Sequence, residues 1–138
     1  MKSVRDLARE SMTAVETGDR AAWLALFTDD AVVEDPIGPS IFDPDGTGHR
    51  GAGAIAAFYD NVIGINESIQ FDIHQSFLCG DEIANVGVIR ITVTAGTVVE
   101  VDGVYTYRRS SDGKIAALRA YWEPDAIRAV EPGAGGPA

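Results

Sequence analysis

Apolar residues recur along the first part of the chain with a helical period. Val4, Leu7, Ala8, Met12 and Val15 fall on one face of a helix that starts after Ser3. Ser11 interrupts that apolar stripe. Asp6 stands in the first turn, where the positive end of a helix favours an acid. Gly18 closes the helix, and Asp19 is placed to cap a short second one that turns Trp23, Leu24 and Phe27 inward. Residues 28–30 read as a turn into an extended piece, Ala31 to Asp35. Pro36 stops it, because proline lacks the donor a central strand needs. The loop over 37–50 is dense in Gly, Pro and Asp, and loops of this length often cover a site. A third helix runs from about Gly51 to Ile63, with Ile55, Phe58, Tyr59 and Val62 on one side.

From residue 68 the period changes to two. Strands are predicted over about 68–78, 82–94, 98–108 and 114–122, joined at Gly80-Asp81, at 95–97 and at 110–113. Helices first and a hairpin-linked meander afterwards predict an α+β fold. Three N-terminal helices pack on one face of a curved antiparallel sheet. Residues 1–126 form a single domain in this reading. Residues 127–138, which end in a Gly- and Pro-rich run, form a flexible C-terminal tail.

Composition narrows the function. The chain has 138 residues and a formal net charge of −10. Clustered basic residues that would grip nucleic acid or an anionic membrane are missing, so neither is an expected partner. No apolar run approaches the roughly 20 residues of a membrane span. The charged first ten residues hold no signal-peptide core, and Cys79 has no partner for an internal disulfide, which together predict a cytoplasmic home.

Asp35 is the main chemical candidate. Val33 and Asp35 share one face of the extended piece, so a carboxylate follows an apolar side chain inward. Burial raises a carboxylate's pKa and makes it a better base. A turn carboxylate beside Pro36 is the plainer alternative. His74 lies beside Asp72 on a polar strand face, and His49 sits in the Gly-rich loop, where it can overhang a pocket mouth. No metal-ligand spacing occurs, so no metal is predicted. Gly46, Gly48, Gly51 and Gly53 lack the dinucleotide pattern, and no cofactor is predicted.

Several stretches together resemble the ketosteroid isomerases, members of the nuclear transport factor 2 and polyketide cyclase (SnoaL-like) superfamily, which implies a cone-shaped sheet wrapped around the three N-terminal helices. The stretches are Gly18-Asp19, residues 23–27 (WLALF), residues 29–38 (DDAVVEDPIG), Gly51 with residues 55–59 (IAAFY), and residues 119–122 (RAYW). The resemblance implies that Asp35 moves a proton between two carbons of a steroid enone, without a cofactor, while a tyrosine and a protonated aspartic acid hold the enolate oxygen. Asp35 matches the base. Ser11 stands at the tyrosine's position, where a serine usually bonds back to its own helix. Gly103 stands at the acid's position, with Asp102 adjacent but on the opposite face.

By the same resemblance, Tyr59 matches a tyrosine that supports the pocket's hydrogen-bond network in some family members, and it joins Asp35 as a catalytic candidate. Tyr105 and Tyr107 share the face of Gly103 and offer replacement donors. Phe27, Phe58, Leu118, Ala120 and Trp122 are expected to line the pocket with Ser11, Gly103 and Tyr105. Plain core packing is the simpler explanation for Trp23, Phe58 and Tyr107. The implied function is that of a steroid Δ-isomerase with weakened activity, acting on a hydrophobic, steroid-like substrate. The alternative is a non-catalytic protein that binds a steroid or another small apolar ligand. A protein-interaction scaffold is a third possibility. The resemblance also implies a homodimer formed through the outer sheet face.

Overall fold

The structure is a computed structural model that describes residues 1–130. Ser3 starts helix α1 (Val4–Glu16) with a capping box: its Oγ accepts from the Asp6 amide at 3.2 Å, and the Asp6 carboxylate accepts from the Ser3 amide. Gly18, at φ +69°, takes the left-handed turn that ends the helix. Asp19 then caps α2 (Arg20–Leu24) by accepting from the Ala22 amide at 3.1 Å.

The second helix is shorter than predicted, and Phe27 opens strand β1 (Phe27–Glu34) instead. Residues 28–30, predicted as a turn, form an irregularity within that strand. Phe27 pairs with Ile115, pairing resumes only at Val32, and Asp29 and Asp30 stay in solvent between them. The loop after β1 ends in a two-residue strand, β2 (His49–Arg50), which pairs with Val32 and Val33. Helix α3 (Gly51–Phe58) does not run regularly to residue 63. Its last turn, Tyr59–Ile63, widens to π geometry, closed by the Gly64 amide donating to the Tyr59 carbonyl at 2.7 Å.

The meander follows as β3 (Ser68–Cys79), β4 (Glu82–Thr92), β5 (Val98–Arg109) and β6 (Ile115–Tyr121). The sheet order is β2-β1-β6-β5-β4-β3, and its two ends do not meet. The sheet is antiparallel except for β1 and β6, which run parallel. The flexible tail predicted from residue 127 is corrected in part: Arg128–Val130 form β7, which pairs with Val98–Glu100 where β6 has already left the edge of β5. Arg128 anchors it through ion pairs to Asp102 and Glu100. The rest of the predicted tail, 131–138, lies outside the described residues.

α1 crosses β3, β4 and β5 on one face of the sheet, and α3 covers β1. The sheet bends around them. β3 has a bulge between Ile73 and Gln75, and opposite it stands Gly87, where a Cβ would come within 2.2 Å of the Asp72 carbonyl oxygen. One buried cluster, built on Val4, Leu7, Trp23, Ile55 and Ile115, fills the α1–α3 side. A second, built on Ile69, Ile89, Val101, Tyr105 and Ala120, belongs to the sheet. No described helix is long and apolar enough to cross a membrane.

Candidate active site

Between the helices and the sheet lies a cavity of about 320 Å³. That is within the range of small-molecule pockets, about 300–1,000 Å³. The end of β1 delivers its acid. Side chains alternate there, so Glu34 turns to the outer face, where its Oε1 accepts from Arg119 Nε at 2.8 Å. Asp35 turns inward with Val33 and lines the cavity. The parallel register of β1 and β6 sets Glu34 opposite Arg119, which brings Trp122, just past β6, alongside Asp35. Trp122 Nε1 donates to Asp35 Oδ1 at 2.6 Å. Burial lifts the Asp35 carboxyl above its ordinary range, and the Trp122 hydrogen bond and the His49 charge offset part of that rise. The chain after Asp35 is fixed as well, since the Ile37 amide donates to the Ala120 carbonyl at 3.0 Å.

A second polar group sits on α1. Ser11 does not bond back to its helix, as expected, but accepts from two aromatic side chains. Trp23 Nε1 donates to Ser11 Oγ at 3.0 Å, and the Tyr107 hydroxyl donates to it at 3.4 Å. All three residues line the cavity. Trp23 and Tyr107 are therefore more than core packing. Burial pushes the Tyr107 hydroxyl up, the Ser11 contact opposes this, and the Asp35 charge adds to it. Tyr105 also lines the cavity, but its hydroxyl donates to its own strand, to the Val101 carbonyl at 2.7 Å.

Of the other predicted site residues, Phe58, Leu118 and Trp122 line the cavity with Asp35, Ser11 and Tyr105. Phe27, Tyr59, Gly103 and Ala120 do not. Phe27 packs edge-on against Trp23, with ring centroids 4.6 Å apart. Tyr59, expected to be catalytic, also packs on Trp23, at 5.5 Å; burial pushes its hydroxyl up, and the nearby Arg20 charge opposes this. Ala120 is fully buried inside the sheet cluster. Gly103 faces inward but is roofed over: a Cβ there would lie 2.6 Å from the Tyr121 carbonyl oxygen and 3.2 Å from the Tyr105 hydroxyl. Asp102 points outward to Arg128 at 2.7 Å, so no acid enters the cavity from this strand.

The sequence reading missed Phe42. It is the one Phe, Tyr or Trp in the 37–50 loop, and it covers the cavity beside Trp122, with ring centroids 6.5 Å apart. His49 packs on Phe58 at 4.7 Å, and its Nε2 is buried without a hydrogen-bond partner. The aliphatic mouth was also missed. Ile65 and Ile127, both substantially exposed, line it with Ile63, Ile91, Val93 and Val99.

Comparisons with known proteins bear on the fold and the family. Residues 8–127 match the model of the SnoaL-like domain. A curated relative, the steroid Δ-isomerase of Nocardioides simplex, is 33% identical over 116 residues, covering 82% of this chain and 84% of that protein. A crystal structure of Δ5-3-ketosteroid isomerase from Mycobacterium sp. superposes with a TM-score of 0.86 at 44% identity, covering 92% of this chain and 98% of the other. A Mycobacterium tuberculosis protein, solved in complex with estradiol-17β-hemisuccinate, superposes at 0.82 with 39% identity, covering 88% and 95%. By its matched domain, its fold and these relatives, the chain belongs to the SnoaL-like family, as a member similar to the ketosteroid isomerases.

Proposed function

We propose that this protein isomerises a β,γ-unsaturated ketone carried on a steroid-like body, with Asp35 as the proton shuttle. One observation carries the reading: a desolvated carboxylate, held by Trp122 Nε1 at 2.6 Å, faces a largely apolar cavity. Asp35 removes the proton from the carbon between the carbonyl and the double bond. The C–H electron pair moves into the enolate, leaving negative charge on the carbonyl oxygen. When the enolate collapses, the double bond comes into conjugation and Asp35 returns the same proton to the far carbon of the old double bond. No proton is gained or lost overall. The relatives support this chemistry, and the Phe58, Leu118 and Trp122 surfaces suit the apolar body of such a substrate.

Asp35→Asn tests it. The amide keeps the size of the side chain and its bond from Trp122 but is not a base. Turnover of a β,γ-unsaturated ketosteroid, followed as conjugated-enone absorbance, should fall by about 10²–10⁴ or more. Steroid affinity should stay close to that of the unaltered protein, because burial of apolar surface supplies most of it. Equal turnover by both proteins removes Asp35 from the mechanism. Steroid binding with no turnover by either favours the non-catalytic, ligand-binding reading. A cytoplasmic homodimer joined through the outer sheet face completes the proposal, and light scattering in solution tests the dimer.

A further inference from the structure

Two aromatic side chains converge on a single hydroxyl inside the cavity, and their hydrogens can be counted. Trp23 Nε1–H is a donor only, and it is spent on Ser11 Oγ. The Ser11 and Tyr107 hydroxyls own two hydrogens between them. One lies in the 3.4 Å contact that joins the two oxygens. Whichever oxygen supplies it, the other hydroxyl hydrogen finds no acceptor among the described residues. Ser11 is 1% exposed, so water at the protein surface does not serve it either. A buried hydroxyl hydrogen without an acceptor is costly, and the cavity that Ser11 and Tyr107 both line is the space from which an acceptor can come.

We infer that the Ser11–Tyr107 hydroxyl pair, braced by Trp23, is the oxyanion-binding site of this protein: it donates a hydrogen bond to the ligand's carbonyl oxygen and holds the negative charge that develops there. The inference rests on the reading of Asp35 as the base. The ligand it selects has an apolar body and one acceptor oxygen at the α1 end of the cavity, either a ring ketone or a phenolate.

Three further observations support the assignment. Gly103 brings no acid and has no room for one. The Tyr105 hydrogen is already given to the Val101 carbonyl. Tyr107 and Asp35 line the same cavity, so donor and base face the same space, and the Asp35 charge is felt at the Tyr107 hydroxyl. Burial pushes the Tyr107 hydroxyl up, so it stays protonated as a donor. The pair gives up no proton during the reaction. The proton travels on Asp35 alone, and the hydroxyl hydrogen remains on its own oxygen.

The test uses Tyr107→Phe, Ser11→Ala, their double variant and Ser11→Thr. Each single change removes or moves one small group, and circular dichroism checks folding. The readouts are kcat and KM for a β,γ-unsaturated ketosteroid, and affinity for a phenolic steroid and for its analogue lacking the phenolic oxygen. The double variant should lose about 10²–10³ in kcat, the usual effect of removing an oxyanion donor, with little change in KM. It should bind the phenolic steroid more weakly and the oxygen-free analogue as before. Ser11→Thr, which keeps a hydroxyl, should retain most of the activity. An unchanged kcat in the double variant overturns the inference, and so does an equal loss of affinity for both steroids, which would indicate damaged packing. The two readings fail separately. If Asp35→Asn is inactive and the double variant fully active, the base stands and this site falls. If Asp35→Asn is fully active, the base falls, and the affinity difference between the two steroids still judges the site.

Discussion

The cavity has two polar walls, and they are built on opposite principles. On the β1–β6 wall a single acid is desolvated and then steadied by one strong donor, Trp122. Its value as a base comes from being hard to ionise. On the α1–β5 wall the groups are neutral: an indole, a serine and a tyrosine share hydrogens and leave one over. That wall needs no charge of its own, because it waits for charge to appear on the ligand. A base and an oxyanion site have to differ in this way, since an ionised group on the second wall would repel the enolate.

The comparison can be broken from either side. After Asp35→Asn and the Ser11/Tyr107 double variant, the largest effect is expected from Gly103→Asp, which puts an acid where the resemblance implies one. It should not raise activity. The new Cβ meets the Tyr121 carbonyl oxygen at 2.6 Å, and overpacking of this kind costs about 1–3 kcal/mol. Thermal unfolding should shift down, and a variant that is both stable and faster would show that the second wall can accept an acid after all. Next comes Trp122→Phe, which removes the donor that favours the charged form of Asp35. A hydrogen bond to a charged group is worth about 1.5–3 kcal/mol, so kcat/KM at low pH should fall by about tenfold or more and recover in part as pH rises. A loss of the same size at every pH would mean that Trp122 acts by packing alone.

The smallest expected effect concerns stability. The folded-state pKa of Asp35 lies above its unfolded value, so the folded protein binds that proton more tightly. Stability then falls as pH rises from the unfolded value through the folded one, and the penalty is fully present above it. Asp35→Asn removes the penalty. The variant should melt above the unaltered protein at neutral pH, and the two should converge in acid. A variant that melts lower at neutral pH would contradict a desolvated Asp35.

The two walls also differed in how far they could be read from sequence. Asp35 was legible because strand alternation behind Val33 aims it inward, and because Pro36 fixes where the strand ends. The meander was legible from its period of two and its turn residues. Ser11 was visible as a break in an apolar stripe, but its partners were not. Trp23 lies on another helix and Tyr107 is 96 residues away, and only tertiary packing brings them together. Tyr59 had the right neighbours in sequence and the wrong direction in space. The π turn that begins at Tyr59 accompanies a ring packed on Trp23, and helical periodicity does not report such a turn. Phe42 was hidden for a different reason: a loop without periodicity says that something can cover the cavity, not which residue does.

The pH dependence of kcat/KM bears most directly on Asp35 as a desolvated base. Activity requires the ionised carboxylate, so the profile should rise with pH through one acidic limb, with its midpoint above the value of about 4 typical of a solvated aspartate. His49→Gln should move that midpoint further up, since the His49 charge helps to hold Asp35 ionised. A limb at the ordinary aspartate value, or a flat profile across this range, would contradict the assignment.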